Sequence, residues 1–318
     1  MRNEPVALVT GAGGFIGTHL CRLLASRGEP FVGTLSPRGH EPALGLTSQP
    51  AALFRSIDLQ DSIAVRDLVA EVAPTRIFNL AAVGTHPLER YDPFAYVELN
   101  VRLPAALFQF MPRGCILVHV GSMKQYTGCV ATLSEDTASR DSSTLYSWSK
   151  NAADSLLETL ERSSAEKSSS VVRVRLFSVT GGGEPEQRLL ASLVKSYLDS
   201  TDVSLSDGNQ IRDLLHVEDA VSALAHVSNC TSLVGQAVNI ARGEGRTVRW
   251  IAERAAERLA CQDRVRFGAI PRRADEPRQQ LVADVSRLRS TGWRPQWSYE
   301  ESIDRALNQM IAGGTAPF

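Results

Sequence analysis

A glycine-rich turn close to the start of the chain constrains the fold more than any other stretch. The apolar run Val6–Val9 leads through Thr10-Gly11-Ala12-Gly13-Gly14 into an amphipathic segment, Phe15–Ser26, whose apolar residues recur at helical spacing. This order predicts a β-strand, a tight turn and an α-helix that begins at the turn. Such a unit presents the amino end of a helix beyond the carboxyl end of a strand.

Three glycines around this turn each suit a different requirement of a bound pyrophosphate. Gly11 permits a tight turn, Gly14 lets a ligand approach the backbone, and Gly17 lets the helix pack against its strand. The first helical residues, Phe15 and Ile16, present unpaired N–H groups and the positive end of the helix dipole. These five residues predict a dinucleotide site, although their spacing is not G-x-G-x-x-G and such a turn also occurs as bare structure.

Two further stretches point to a particular family. Tyr146-Ser147-Trp148-Ser149-Lys150 places a tyrosine and a lysine one helical turn apart, and Gly121-Ser122-Met123-Lys124-Gln125-Tyr126 follows the apolar run Cys115–Val120. With the glycine turn, they resemble the extended short-chain dehydrogenase/reductase family, the NAD-dependent epimerase/dehydratase group that modifies sugar nucleotides. The resemblance covers nearly the whole chain. It implies an α/β fold with a Rossmann-type doubly wound parallel sheet and a smaller C-terminal α/β substrate-binding lobe.

The order of the other elements also favours a doubly wound parallel sheet, because strands and helices alternate. Further strands are predicted over Pro30–Leu35, Ala52–Ile57, Arg76–Leu80, Cys115–Val120 and Val171–Leu176, and further helices over Ile63–Val72, Phe94–Phe110 and Tyr146–Leu160. Loops are predicted over Arg38–Pro50 and Ser163–Ser170. We expect residues 1–176 to form the dinucleotide-binding domain and residues 177–318 mainly the sugar-nucleotide lobe, with some chain crossing back.

The resemblance assigns catalysis to Ser122, Tyr146 and Lys150. A free tyrosine has a pKa of about 10, so it is a poor acid or base at neutral pH. The Lys150 ammonium and the positive nicotinamide ring would stabilise the phenolate and make Tyr146 a usable proton donor or acceptor. Lys150 would also hold the nicotinamide ribose, and Ser122 would hydrogen-bond the reacting sugar oxygen. The alternative for the tyrosine and lysine is an ordinary pair on a helix surface.

The end of the second predicted strand bears on the choice of cofactor. An NAD enzyme commonly places an acid there to bind the ribose 2′-hydroxyl, but no carboxylate occurs between Glu29 and Glu41. Ser36 and Arg38 instead offer a hydroxyl and a cation suited to a 2′-phosphate. This favours NADP(H), with NAD(H) as the alternative and a solvated loop arginine as the other interpretation of Arg38.

The resemblance implies more cofactor contacts at the ends of other strands. Asp58, followed by Leu59, would contact the adenine, although Asp58 could equally cap the helix after it. Asn100 would help to position the active-site helix and the cofactor. The small-residue edge under the cofactor would consist of Leu80, Ala81 and Ala82.

Substrate contacts are implied in the second half of the chain. Arg212, in the stretch Gly208–Asp219, and Arg272, in Pro271–Asp275, would bind a nucleotide-sugar diphosphate through charge-assisted hydrogen bonds. The alternative for each arginine is an ion pair with a neighbouring acid such as Asp213 or Asp275.

Other positions depart from the family pattern. Ser178 stands where many epimerases carry asparagine, and Met123 and Lys124 stand where 4,6-dehydratases carry an acidic pair. Ordinary 4,6-dehydration is therefore not expected. Lys124 is a candidate to meet an anionic or carbonyl group of the substrate, with a solvated loop lysine as the alternative.

Composition excludes several classes of partner. The chain has 34 Lys and Arg against 35 Asp and Glu, so no global field favours nucleic acid or a membrane surface. Its five cysteines are scattered, with no C-x-x-C pair and no histidine at metal-ligand spacing, which predicts reduced thiols and no metal site. No signal-peptide core and no apolar run near the roughly 18 residues of a membrane span are evident, which predicts a cytoplasmic protein.

The family implies a homodimer through Phe94–Phe110 and Tyr146–Leu160.

These expectations converge on one predicted function with two alternatives. The predicted function is NADPH-dependent reduction of a keto group on a nucleotide-diphosphate sugar, with a 4-keto-6-deoxyhexose as the expected substrate. The first alternative is a nucleotide-sugar 4-epimerase that retains NAD without net turnover. The second is a non-catalytic dinucleotide-binding regulator, since a fold alone does not determine function.

Overall fold

The structure is a computed structural model that describes residues 6–37, 52–84, 92–127, 132–136, 140–164, 170–272 and 280–313. The chain divides into two compact units. The first contains Met1–Tyr126, Arg140–Arg175 and Val221–Val238, and the second contains Thr127–Ser139, Leu176–Ala220 and Asn239–Phe318. One division falls between Arg175 and Leu176, and the chain crosses between the units at four other points.

A seven-stranded parallel sheet forms the first unit, and its last strand runs into the second at Asn239. Its strands are β1 Ala7–Thr10, β2 Phe31–Leu35, β3 Ala52–Ser56, β4 Arg76–Asn79, β5 Ile116–Ser122, β6 Val171–Leu176 and, after shorter strands elsewhere, β11 Ala237–Ile240. Their spatial order is β11-β6-β5-β4-β1-β2-β3, which confirms the predicted doubly wound sheet. Because the order reverses between β1 and β4, ligands of such sheets bind beyond the carboxyl ends of these strands.

Helices connect these strands. They are α1 Phe15–Ser26, α2 Ser62–Val72, α3 Pro93–Ala95, a π-helical segment Tyr96–Arg102, α4 Leu103–Phe110 and α5 Leu145–Ser163. The predicted continuous α-helix Phe94–Phe110 is therefore wrong in its middle. Pro104 has no N–H to donate to the carbonyl of Asn100, and its ring would clash with that carbonyl, so the regular α-helical hydrogen bond cannot form there. The backbone widens instead, and the Leu103 N–H donates to the carbonyl of Glu98.

The core of the first unit lies between its sheet and its helices. Strand residues Leu8, Ile77 and Leu117 pack in one buried cluster with Leu107 of α4 and Leu157 of α5. Burying such a side chain contributes about 1.5–3 kcal/mol. These contacts fix the carboxyl ends of the central strands, from which the candidate site is built.

The second unit is a smaller α/β assembly, as predicted. Its strands are β7 Ser178–Thr180, β8 Val203–Leu205, β9 Ile211–Arg212, β10 Leu214–His216, β12 Arg246–Thr247, β13 Val265–Phe267 and β14 Gln280–Leu281, and its helices are α6 Leu189–Asp199, α8 Val248–Leu259, α9 Ser286–Ser290 and α10 Tyr299–Gly313. Helix α7, Val217–Val227, begins in this unit. Leu193, Ala252 and Ile303 pack α6, α8 and α10 together. None of the described helices is both long and apolar enough to cross a membrane.

Candidate active site

The glycine turn has the close backbone approaches that its sequence predicts. Gly11 has a φ of +70°, a left-handed conformation that favours glycine, and a Cβ there would lie 2.8 Å from the amide nitrogen of Ala81. A Cβ on Gly17 would collide with the carbonyl oxygen of Gly11. The turn after β1 therefore packs directly against the chain leaving β4 and against the first turn of α1.

The amino end of α1 fits an anionic ligand such as a pyrophosphate. Gly14 is the N-cap residue and offers no side chain to bond the first N–H groups of the helix, and no acidic residue lies in the first turn. The first N–H groups of an α-helix have no intrahelical acceptor. Gly14 is exposed, so a phosphate oxygen can approach these groups at Phe15 and Ile16.

A buried row of polar side chains joins the last residues of β1 and β4 to the middle of β5. The Thr10 hydroxyl donates to Asn79 Oδ1 at 2.8 Å and accepts from the Ala81 N–H at 3.2 Å. Asn79 Nδ2 lies 3.1 Å from His119 Nδ1. Burial, assisted by the Lys150 charge, holds the pKa of His119 well below its usual value, so the neutral ring accepts this bond. The sequence analysis did not predict this row, for which the signal was a polar residue within or at the end of each of three apolar strands.

The remaining predicted cofactor contacts lie around the ends of β2, β3 and β4. Ser36 is exposed just after β2, and Arg38 lies outside the described residues. Asp58 is exposed, and its Oδ1 accepts from the Gln60 N–H at 2.9 Å. The alternative that Asp58 caps α2 is wrong, because Asp61 caps it by accepting from two N–H groups of its first turn. Leu59, Leu80 and Ala81 are half-buried, whereas Ala82 is exposed.

Asn100 joins the chain after β4 to helix α5. Its Oδ1 accepts from the Val83 N–H at 2.8 Å, and its Nδ2 donates to the Val83 carbonyl at 3.1 Å and to Ser149 Oγ at 3.0 Å. Asn100 is fully buried on the π-helical segment. Its contact with Ser149, the neighbour of Lys150, ties the π-helical segment to α5.

Ser122 occupies the junction between β5 and a short 3-10 helix, Met123–Gln125. It is the N-cap residue of that helix, and its Oγ accepts from the Lys124 N–H at 3.2 Å. This bond uses a lone pair of Oγ, so it does not occupy the hydroxyl hydrogen as a donor.

Tyr146 and Lys150 lie one turn apart near the start of α5. The helix begins with a capping box in which Thr144 and Ser147 exchange side-chain and backbone hydrogen bonds at 3.1 Å. Tyr146 is half-buried and Lys150 is only 3% exposed.

A hydrogen bond ties Lys150 to the strand that carries Ser122. Lys150 Nζ donates to the carbonyl oxygen of Val120 at 2.9 Å. Burial lowers the pKa of Lys150 to about 8, and the nearby Asp154 opposes this shift. At neutral pH most of the lysine keeps its charge, which can stabilise a phenolate at Tyr146. The first unit thus brings the three predicted catalytic residues onto two adjoining elements.

The predicted substrate residues are divided between the units. Lys124 is half-buried in the 3-10 helix of the first unit, whereas Ser178 on β7, Arg212 on β9 and Arg272 belong to the second. Asp275, one of the acids considered for an ion pair, lies outside the described residues.

The two arginines have different surroundings. Arg272 forms two hydrogen bonds with Asp207, from Nε to Oδ1 at 2.9 Å and from Nη2 to Oδ2 at 2.6 Å. Arg212 is buried, and its Nη1 donates to the carbonyl of Ile211 at 2.8 Å. Asp213, considered as a partner for Arg212, instead accepts from three backbone N–H groups at 2.9–3.2 Å.

Known proteins with similar sequences or structures act on sugar nucleotides. The chain is 25% identical to UDP-glucose 4-epimerase of Lactobacillus helveticus, over 94% of each chain. It is 22% identical to CDP-abequose synthase of Salmonella muenchen, over 95% of this chain and 96% of the relative. The solved structure of MoeE5 in complex with UDP-glucuronic acid and NAD has a TM-score of 0.82 at 26% identity, covering 96% of this chain and 99% of MoeE5.

The family relationship follows from the extent of these matches. Residues 7–241 of the 318 match the NAD dependent epimerase/dehydratase family. The match contains the glycine turn, Ser122, Tyr146 and Lys150, and it covers the whole seven-stranded sheet. The chain therefore belongs to the NAD-dependent epimerase/dehydratase family and is an enzyme of the extended short-chain dehydrogenase/reductase type.

Proposed function

We propose that this enzyme is a UDP-sugar 4-epimerase that holds NAD at its glycine turn. The hydrogen bond from Lys150 Nζ to the Val120 carbonyl is the observation that best supports the proposal, because it ties the helix that carries Tyr146 and Lys150 to the strand that ends at Ser122. Similarity to a UDP-glucose 4-epimerase and to MoeE5, solved with UDP-glucuronic acid and NAD, supports this choice over the reductase favoured by the sequence.

Each catalytic residue has one task in this reaction. Tyr146, as a phenolate, takes the proton of the sugar 4-hydroxyl, and Lys150 stabilises that phenolate by its charge. Ser122 donates a hydrogen bond to the same sugar oxygen and keeps it aligned. The bound nicotinamide supplies a hydride acceptor and donor. The 4-keto sugar then rotates so that its opposite face is towards the nicotinamide. Tyr146 returns the proton, and the product has the opposite configuration at C4.

The reductase remains a second candidate because of the end of β2. Leu35-Ser36-Pro37 offers no carboxylate for a ribose 2′-hydroxyl, a feature that favours NADP(H) over NAD(H). A reductase would use Tyr146 to protonate the carbonyl oxygen of a keto sugar and would consume one reduced cofactor in each turnover. Met123 and Lys124 provide no acidic side chain, so neither the epimerase nor the reductase has to compete with 4,6-dehydration as an explanation.

Product analysis without added reductant tests the proposal. The purified enzyme is incubated separately with UDP-glucose, UDP-galactose and UDP-glucuronic acid, and the products are resolved by chromatography. Interconversion of C4 epimers with no net change in reduced-nicotinamide absorbance is expected. Tyr146→Phe should abolish it, whereas Tyr197→Phe, at a 40% exposed tyrosine of α6, is the matched control.

Two other outcomes would contradict the epimerase. Stoichiometric oxidation of NADPH in the presence of a nucleotide-diphosphate 4-keto-6-deoxy sugar would establish the reductase instead. Dinucleotide binding without turnover of any of these sugars would favour the non-catalytic regulator. The cofactor released by denaturing the purified protein identifies which dinucleotide it retains.

A further inference from the structure

A buried glutamine lies at the base of the candidate site, beneath the residue that caps the 3-10 helix. We propose that Gln125 is a positioning residue that fixes the Ser122 backbone against the turn of α5 that carries Lys150. The proposal rests on the proposed function in one respect, since it takes Ser122 and Lys150 to be the groups that act on the sugar.

The two ends of the Gln125 amide bond to the two catalytic elements. Its Oε1 accepts from the Ser122 N–H at 2.8 Å, at the end of β5. Its Nε2 donates to the Lys150 carbonyl at 3.2 Å and to Asp154 Oδ2 at 2.9 Å, both on α5. Gln125 is fully buried, so water does not compete for these bonds. One side chain therefore sets the distance between the Ser122 and Lys150 backbones.

The neighbouring glycine makes room for this side chain. A Cβ at Gly121 would collide with Gln125 Oε1, and it would also lie 2.9 Å from the carbonyl oxygen of Val174. Only glycine at this position lets the amide pass under the Ser122 peptide. Gly121 and Gln125 thus form one arrangement at the end of β5.

A buried ion pair holds the far side of the amide. Arg175 Nη2 lies 3.4 Å from Asp154 Oδ2, the oxygen that also accepts from Gln125, and Arg175 Nη1 donates to the Tyr126 hydroxyl at 2.9 Å. The Asp154 and Arg175 side chains are each 1% exposed. Asp154 is therefore held in a single place, and it gives Gln125 Nε2 a fixed acceptor.

An uncharged amide is required because the two ends have opposite roles. One end must accept from the Ser122 N–H, and the other must donate to oxygen atoms of Lys150 and Asp154. A protonated carboxyl group can do both, whereas an ionised carboxylate cannot donate and would face the Asp154 charge. This difference makes Gln125→Glu a variant whose fit depends on pH.

The test compares Gln125→Met, Gln125→Glu and a control on the same helix. Gln125→Met keeps the length of the side chain but removes both kinds of bond, and we expect kcat for the epimerase reaction to fall by about 10- to 100-fold with a smaller change in KM. Gln125→Glu should approach the parent kcat at low pH and lose activity as the pH rises and the introduced carboxyl ionises. The charged and titratable groups near it are Asp154, Lys150, Arg175, Tyr126 and Asp141.

Glu161→Gln separates positioning from a general loss of stability. Glu161 is buried in α5 and pairs with Arg173 at 2.8 Å, so its loss should lower the melting temperature while leaving kcat and its pH profile unchanged. Gln125→Glu with the pH profile of the parent enzyme, or Gln125→Met with parent kcat, would overturn the proposal.

Amide hydrogen exchange at Ser122 tests the contact without any substrate. We expect Gln125→Met to increase exchange at this amide by at least tenfold while Glu161→Gln does not. Unchanged exchange at Ser122 would refute the positioning role even if the enzyme proves not to be an epimerase. Faster exchange in a protein that lacks epimerase activity would refute only the proposed reaction.

Discussion

Replacing Thr10 with valine tests the buried polar row that joins β1, β4 and β5. Valine has a similar shape, so the change removes the hydroxyl bonds to Asn79 Oδ1 at 2.8 Å and to the Ala81 N–H at 3.2 Å with little change in packing. Thr10 and Asn79 are almost fully buried, whereas Ala81 is half-buried. Each buried group left without a partner costs roughly 1–3 kcal/mol, so we expect the free energy of unfolding to fall by about 2–4 kcal/mol.

Urea unfolding followed by circular dichroism measures this change. Thr10→Ser is the matched control, because it keeps the hydroxyl and loses one buried methyl group, worth about 0.8 kcal/mol. The valine variant should also bind the dinucleotide more weakly, since Ala81 lies against the Gly11 turn. A valine variant as stable as the serine variant would refute the reasoning, because the hydroxyl would then contribute no more than one buried methyl group.

Three other expectations follow from the same geometry. Gly11→Ala should abolish dinucleotide binding, measured by fluorescence titration, because a Cβ there would lie 2.8 Å from the Ala81 nitrogen. Activity should fall as the pH rises above about 8, because buried Lys150 then loses its charge. The unfolded state binds this proton up to about pH 10.5, so the free energy of unfolding should increase between about pH 8 and 10.5. Lys150→Met should remove that increase. Val97 and Trp148 are exposed and lie on the helices expected to form a homodimer. Replacing both with glutamate should convert the dimer to a monomer, as measured by light scattering. If the unmodified protein is itself a monomer, the expected homodimer is wrong.

The local part of the fold was predictable because its information is local. The predicted helix Phe15–Ser26 has the bounds of α1, and strand Val6–Val9 differs from β1 by one residue at each end. Hydrophobic periodicity and glycine positions suffice for such a unit. They did not suffice for Phe94–Phe110, where the effect of Pro104 on the backbone changes the hydrogen-bond pattern but leaves the apolar spacing unaltered.

The supporting contacts of the site were not predictable from local patterns. Thr10 and Asn79 are 69 residues apart, and Asn79 and His119 are 40 apart, so their pairing depends on the strand order and register of the completed sheet. The same holds for Arg272, whose partner Asp207 is 65 residues away rather than a near neighbour. Motifs of the family indicate which residues meet ligands, whereas the residues that hold them in place depend on the whole fold.

Two neutral amides from different elements support the catalytic turn of α5. Asn100 donates to Ser149, and Gln125 donates to the Lys150 carbonyl, so the Ser149 side chain and the Lys150 carbonyl are both bonded without adding a charge beside the lysine. The charge of Lys150 is instead decided by the opposing effects of burial and Asp154. Positioning and electrostatics meet at Gln125, because its Nε2 also donates to Asp154, the carboxylate that opposes the effect of burial on Lys150. Removing the Gln125 amide would therefore disturb alignment and the surroundings of Asp154 together, whereas removing the Asn100 amide would disturb the contact with Ser149.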